Sequence, residues 1–118
     1  MDHRQRIGAI LKDWLEMTRA ECQAIQTGDW AALRQTQEAK AALRGPLTRA
    51  IEQWRAEKPD EAGANPFQKE VSRLLGMETH NSSLLAARQH KAREKRRLLE
   101  QALFNLRRVR SSYGFVQN

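Results

Sequence analysis

The chain has 118 residues, of which 30% are charged and only 6% are aromatic. Alanine, leucine, glutamate, lysine, arginine and glutamine are abundant, and these are strong helix formers. Valine, isoleucine and threonine are too scarce to build extensive sheets. The composition therefore predicts one small all-α domain with a modest core and argues against a globular α/β core.

Positive charge is concentrated near the end of the chain, where it gives the protein its formal net charge of +7. Residues 1–87 contain 12 basic and 12 acidic side chains, which cancel. Residues 88–110 contain nine basic and two acidic side chains, so the whole excess of seven lies there. A basic region of this kind indicates a partner with negative charge.

The chain has no long apolar run, and its first residues lack the apolar core of a secretion signal. We therefore expect a soluble cytoplasmic protein with no membrane span. Cys22 is the only cysteine, which excludes an intramolecular disulfide and a cysteine metal cluster. Cys22 falls on an apolar stripe, so we expect it to be buried.

Apolar residues recur every three or four positions and predict a first helix over about residues 3–26. Gly28 is suited to end this helix, and Asp29 to cap a second helix over residues 30–57. So short a connection predicts an antiparallel hairpin. The Gly45-Pro46 pair should kink the second helix or break it, and we favour a kink because the apolar stripe keeps its phase. Lys40 lies within that stripe.

Residues 58–66 contain two prolines and a glycine and are predicted to form a loop. A third helix is predicted over residues 67–111, followed by a short flexible tail at residues 112–118. We expect a local bend or a close helix contact at Gly76. The fold prediction is a single domain, residues 1–118, forming an antiparallel up-down-up three-helix bundle or coiled coil whose third helix is overlong.

The third helix carries a heptad seam, in which apolar positions alternate at spacings of four and three residues. Its positions are Phe67, Val71, Leu74, Glu78, Asn81, Leu85, Arg88, Ala92, Lys95, Leu99, Ala102, Leu106, Val109 and Tyr113. Polar residues at seam positions can specify register, or they can mark where neighbouring helices no longer cover the seam. We adopt the second interpretation from Arg88 onward, because the charge excess also begins there.

The sequence contains no arrangement that indicates catalysis. His3, His80 and His90 are too scattered to share a metal ion, and they are predicted to be solvated. No glycine-rich phosphate loop and no metal-binding helix motif occurs. We therefore expect a protein that is not an enzyme and needs neither metal nor cofactor.

The basic region is amphipathic, because leucines alternate with its cations. We predict that it binds a partner helix through Leu98, Leu99, Ala102, Leu103, Leu106 and Val109, with flanking charge from Arg96, Arg97, Arg107 and Arg108. Flanking cations would favour a partner with acidic positions. Nucleic-acid binding and an ordinary solvated face remain alternatives, as does a homodimer that covers the seam. The aromatic tail, residues 113–116, is either docked on the bundle or displayed to a partner.

Several residues occur in an order that suggests a known family: Glu21, Gly28, Asp29, Trp30, Leu33, Lys40, Leu43, Asn81, Leu84, Asn105, Leu106, Arg107, Ser112, Tyr113 and Gly114. Together they resemble the FlgN-type flagellar export chaperones. The terminal Ser-Tyr-Gly after a helix rich in leucine and arginine is the most specific part. The resemblance covers most of the chain.

The resemblance implies a cytoplasmic chaperone of the flagellar type III secretion system. Such chaperones bind the C-terminal helices of hook-filament junction (hook-associated) proteins and escort them to the export gate. In that family the last helix carries client binding. A tyrosine near its end contacts the cytosolic domain of the gate protein FlhA, and the matching residue is Tyr113.

Overall fold

The computed structural model describes residues 2–62 and 66–112, and these ranges contain four helices and no strand. The helices are α1 (His3–Thr27), α2 (Trp30–Glu57), α3 (Pro59–Ala62) and α4 (Gln68–Ser112). The predicted bounds of the three long helices differ from the observed ones by at most one residue. The all-α prediction with an overlong final helix is confirmed.

The turn between α1 and α2 has the chemistry expected from its sequence. Gly28 has φ of 72°, in the left-handed region that residues with a Cβ avoid. The Asp29 carboxylate then accepts a hydrogen bond of 3.1 Å from the Ala32 amide and caps α2. These two adjacent residues end one helix and begin the next.

The structure tests two predictions about the middle of the chain, one for the Gly45-Pro46 pair and one for the loop at residues 58–66. Helix α2 continues through Pro46, so the Gly45-Pro46 pair does not break it. The predicted loop at residues 58–66 was wrong in part, because it contains the one-turn helix α3. Pro59 occupies the first helical position, where its fixed φ suits a helix and its missing N–H costs nothing, and Asp60 follows in the first turn.

Contacts divide the chain into two compact units, Met1–Leu84 and Leu85–Asn118. The core of the first unit is formed by Ile7, Leu11, Ala50, Trp54 and Leu74. The Phe67 ring meets the Trp54 ring edge-on, with 6.3 Å between the ring centroids. Two seam positions thus contribute to this unit: Leu74 of α4 belongs to its core, and Phe67, directly before α4, packs against that core.

Side-chain contacts within the first unit establish the helix directions. His3 contacts Glu57 at 3.0 Å, and Glu21 contacts Lys40 at 3.2 Å, so α1 and α2 are antiparallel. Contacts from α1 to α4 advance in the same direction along both helices, from Trp14 with Glu78 to Thr18 with Asn81. The up-down-up prediction is therefore confirmed for this unit.

The prediction that Cys22 is buried was wrong, and one of the two alternatives predicted for Gly76 is excluded. Cys22 is half-buried rather than buried, because it lies at the margin of the stripe that α1 presents to its neighbours. A Cβ added to Gly76 would meet nothing within 4 Å, so this glycine does not permit a close helix contact.

Candidate functional site

Four polar side chains from three helices meet inside the first unit, and we call Glu21, Lys40, Glu78 and Asn81 the polar layer. Lys40 is only 6% exposed although it carries a charge. Its ammonium group donates to Oε1 of Glu21 at 3.2 Å and to Oε1 of Glu78. A cation on the apolar stripe of α2 is thus paired with carboxylates from α1 and α4.

Neutral donors complete the hydrogen bonding of the polar layer. The Asn81 amide donates to the Thr18 carbonyl oxygen at 2.9 Å and to Glu21 Oε1 at 3.0 Å. The Trp14 indole N–H and the Thr18 hydroxyl each donate to Glu78 Oε1 at 3.1 Å. Because buried polar groups are costly when unpaired, these contacts favour the one helix register in which all of them form.

The environment of Glu78 changes its acidity. Burial alone would raise the pKa of Glu78. Hydrogen bonds from Lys40, Trp14 and Thr18, together with the charge of Lys40, outweigh burial and lower the pKa below its usual value. Glu78 is therefore held as a carboxylate whose charge is used structurally.

The polar layer gives no indication of metal binding. In residues 2–62 and 66–112, no group of three or more histidine, cysteine, aspartate or glutamate side chains could hold a metal ion. We interpret the polar layer as a determinant of helix register, which positions α4 against α1 and α2 within the first unit.

The second unit contains a row of exposed apolar side chains on α4, which we call the apolar stripe. Its members are the six predicted partner-binding residues, Leu98, Leu99, Ala102, Leu103, Leu106 and Val109, and all are exposed. Leu99 is 61% exposed and Leu106 is 65% exposed. Contiguous exposed leucines are unusual on soluble proteins and are typical of surfaces that bind a partner.

Of the four predicted flanking arginines, Arg96 lies directly beside the apolar stripe. Rotation of about 100° per residue turns the other three, Arg97, Arg107 and Arg108, farther from it. Arg97 instead pairs with Glu94 at 2.5 Å, and this pairing lowers the pKa of the Glu94 carboxyl. The Arg108 guanidinium lies 5.9 Å from the centroid of the Phe104 ring.

Sequence reasoning missed two cations beside the apolar stripe and one aromatic residue away from it. Lys91 shares a heptad position with Leu98, and Arg110 shares one with Leu103, so these two cations lie at the margins of the apolar stripe, and both are exposed. Phe104 is 54% exposed and lies on the opposite side of α4, which is why the seam pattern does not include it. Heptad positions in the sequence distinguish the cations beside the apolar stripe from those on the opposite side of α4.

Two further observations concern the predicted partners. Tyr113, the predicted contact for the export gate, lies outside the described residues. No helix in the described ranges is both long and apolar enough to cross a membrane.

Comparison with known proteins identifies no relative of this chain. No family model, curated protein or solved structure matches the chain.

Proposed function

We propose that this protein is a cytoplasmic export chaperone of the FlgN type, which binds the C-terminal helices of hook-filament junction proteins and escorts them to the export gate. The observation that carries this proposal is the apolar stripe, with leucines exposed by 44% to 65% at heptad spacing on one side of α4. The resemblance of the sequence to the chaperone family supports the choice of client.

The energetics of such a stripe suit a reversible complex. Full burial of each leucine would contribute about 1.5–3 kcal/mol, so four leucines would contribute about 6–12 kcal/mol. Loss of translational and rotational freedom would cost about 4–15 kcal/mol, and ordering of side chains would add to that cost. These gains and costs are of similar size, so burial of the four leucines would support a reversible complex rather than a permanent one.

The proposal also assigns Tyr113 to contact with the cytosolic domain of FlhA. In this division of roles the client occupies the apolar stripe, and the gate protein binds beyond it. Client binding and gate binding would then respond to different substitutions.

The test of client binding uses a C-terminal peptide from a hook-filament junction protein encoded in the same genome. We expect the peptide to slow amide hydrogen exchange along the apolar stripe at saturation. The double substitution Leu99→Asp and Leu106→Asp should weaken binding by about a hundredfold or more, because it removes two buried leucines and introduces charge at the contact.

A matched control places the same two charges on the other side of α4. Gln101→Asp and Ser111→Asp change exposed positions away from the apolar stripe and should alter affinity by no more than about threefold. Unchanged hydrogen exchange at saturating peptide, or equal losses in both variants, would contradict the proposal.

A second candidate function is a basic helical adaptor for nucleic acid. The specific observation that favours it is Arg108 lying over the exposed Phe104 ring, because stacking aromatic groups and cations together are typical of single-strand binding. This function predicts affinity that falls steeply with salt and is lost in Phe104→Ala. Absence of binding to single and double strands at low salt would exclude it.

A further inference from the structure

The charges beside the apolar stripe restrict which helix can occupy it. We propose that the stripe selects a partner helix with acidic residues flanking its own apolar seam, and that the same charges exclude a second copy of this chain. This inference rests on the proposed function and adds the chemistry of the partner.

Heptad positions place each cation relative to the stripe. With Leu99 and Leu106 at position a, and Ala102 and Val109 at position d, the flanking positions are e and g. Position e holds Arg96, Leu103 and Arg110, and position g holds Lys91, Leu98, Asn105 and Ser112. No acidic residue occupies a flanking position from Lys91 to Ser112.

The flanking cations are available to a partner. Lys91, Arg96 and Arg110 are all exposed. Within residues 2–62 and 66–112, none of the three takes part in a salt bridge, whereas Arg97, which faces away, is paired with Glu94. Glu94 thus pairs with a cation behind the apolar stripe, and the three cations beside the stripe form no salt bridge within the described ranges.

Parallel pairing of two copies would bring like charges together. In a parallel pair each g residue faces the following e residue of the other helix, so Lys91 would face Arg96 of a second copy. The pair from Asn105 to Arg110 of the second copy would offer no compensating negative charge. Like charges at these positions disfavour the pairing.

Antiparallel pairing meets the same obstacle. Aligning the leucines of two antiparallel copies brings e residues opposite one another, so Arg96 would face Arg110 of the second copy, and this contact would occur twice by symmetry. Neither orientation allows the stripe to be covered by another copy without repulsion.

An acidic partner reverses the sign of each of these interactions. Glutamate at flanking positions would meet Lys91, Arg96 and Arg110, while its apolar seam would cover the leucines. Charges at such a rim mainly set selectivity and association rate, and apolar burial supplies most of the affinity.

The experiment compares two designed helical peptides with the same leucine seam. One carries glutamate at every e and g position and the other carries lysine there, and binding to the full chain is followed by fluorescence anisotropy. A hook-filament junction peptide is the positive control. We expect the glutamate peptide to bind more tightly by about tenfold or more at low salt, and salt to narrow the difference.

Charge reversal provides the matched variants. Arg96→Glu with Arg110→Glu should invert the preference between the two peptides. Arg97→Glu with Arg108→Glu makes the same change in net charge behind the stripe and should leave the preference intact. Far-UV circular dichroism checks that both variants retain the helical content of the parent chain.

The outcomes separate the inference from the proposed function. Equal binding of both designed peptides, tighter binding of the lysine peptide, or binding of the junction peptide alone would overturn the charge selection and leave helix binding intact. Failure of all three peptides would remove the proposed function and this inference with it.

Sedimentation tests the exclusion of a second copy. We expect the parent chain to sediment as a monomer, and an equimolar mixture with the Arg96→Glu and Arg110→Glu variant to associate more strongly than either protein alone. A parent dimer that is disrupted by Leu99→Asp would contradict the exclusion.

Discussion

A single carboxylate, that of Glu78, accepts hydrogen bonds from groups on both other long helices of the first unit. Trp14 and Thr18 donate to it from α1, and Lys40 donates from α2. Its pKa is lowered because these donors and the lysine charge outweigh burial. The folded chain therefore binds a proton at Glu78 less readily than the unfolded chain does.

This difference predicts how stability depends on pH. The contribution of the Glu78 carboxylate is fully present above the pKa that Glu78 has in the unfolded chain, and it is lost as pH falls through the lower pKa of the folded chain. Glu78→Gln should therefore be less stable than the parent at neutral pH, and the difference should shrink below about pH 4.

Urea unfolding followed by far-UV circular dichroism across this pH range measures the difference. Glu16→Gln, which changes an exposed carboxyl on α1, serves as the control and should have little effect on stability at neutral pH. A difference between Glu78→Gln and the parent that stays constant on acidification would contradict the prediction.

At the scale of the helices, two glycines in different backbone conformations should respond in opposite ways to substitution by alanine. Gly28 adopts φ of 72° between α1 and α2, whereas Gly76 lies within α4 with nothing within 4 Å of an added Cβ. Gly28→Ala should destabilise the chain by about 1 kcal/mol, because alanine is strained in the left-handed region.

Gly76→Ala makes the same chemical change where the backbone is helical, and it should stabilise the chain by up to about 1 kcal/mol. Thermal unfolding of both variants under one set of conditions compares them. Shifts of the same sign in both variants would show that backbone conformation does not decide these effects.

Local signals explain which parts of the fold could be predicted. Gly28 tolerates the left-handed conformation that ends α1, and the Asp29 side chain caps α2. Because both properties belong to the residue itself, the bounds at this turn were predicted closely. Helix α3 was missed because one turn is too short to show an apolar period. Pro59, which begins it, also suits a loop.

The site was predictable where it depended on spacing along one helix. The apolar stripe follows from heptad spacing, and its members are exposed. The partners of Lys40 were not predictable, because Glu21 and Glu78 reach it from two other helices through tertiary packing. The sequence shows only that a lysine lies among the apolar residues of α2, and this does not identify the carboxylates that pair with it.

For the whole molecule, the division after Leu84 separates core from charge. Every buried residue in the described ranges lies between Ile7 and Asn81, within the first unit. The excess of positive charge belongs to residues 88–110. Stability and partner binding should therefore depend on different lengths of the chain.

A chain that ends at Leu84 tests this separation. It retains all the described buried residues, so its urea midpoint should remain close to that of the full chain, while binding of the junction peptide should be lost. Tryptophan fluorescence measures the midpoint, since Trp14, Trp30 and Trp54 all remain. Collapse of the midpoint would show that residues beyond Leu84 contribute to the stability of the first unit.

The enclosed ammonium of Lys40 also has a consequence for its covalent chemistry. Acylating reagents attack the neutral amine of an accessible lysine, and Lys40 is 6% exposed with its ammonium held by two carboxylates. The other lysines, Lys12, Lys58, Lys69, Lys91 and Lys95, are all exposed. Acylation of Lys40 would thus require α1, α2 and α4 to separate around it. Because the acyl group stays attached after the helices close again, the extent of Lys40 acylation would measure how often this opening has occurred.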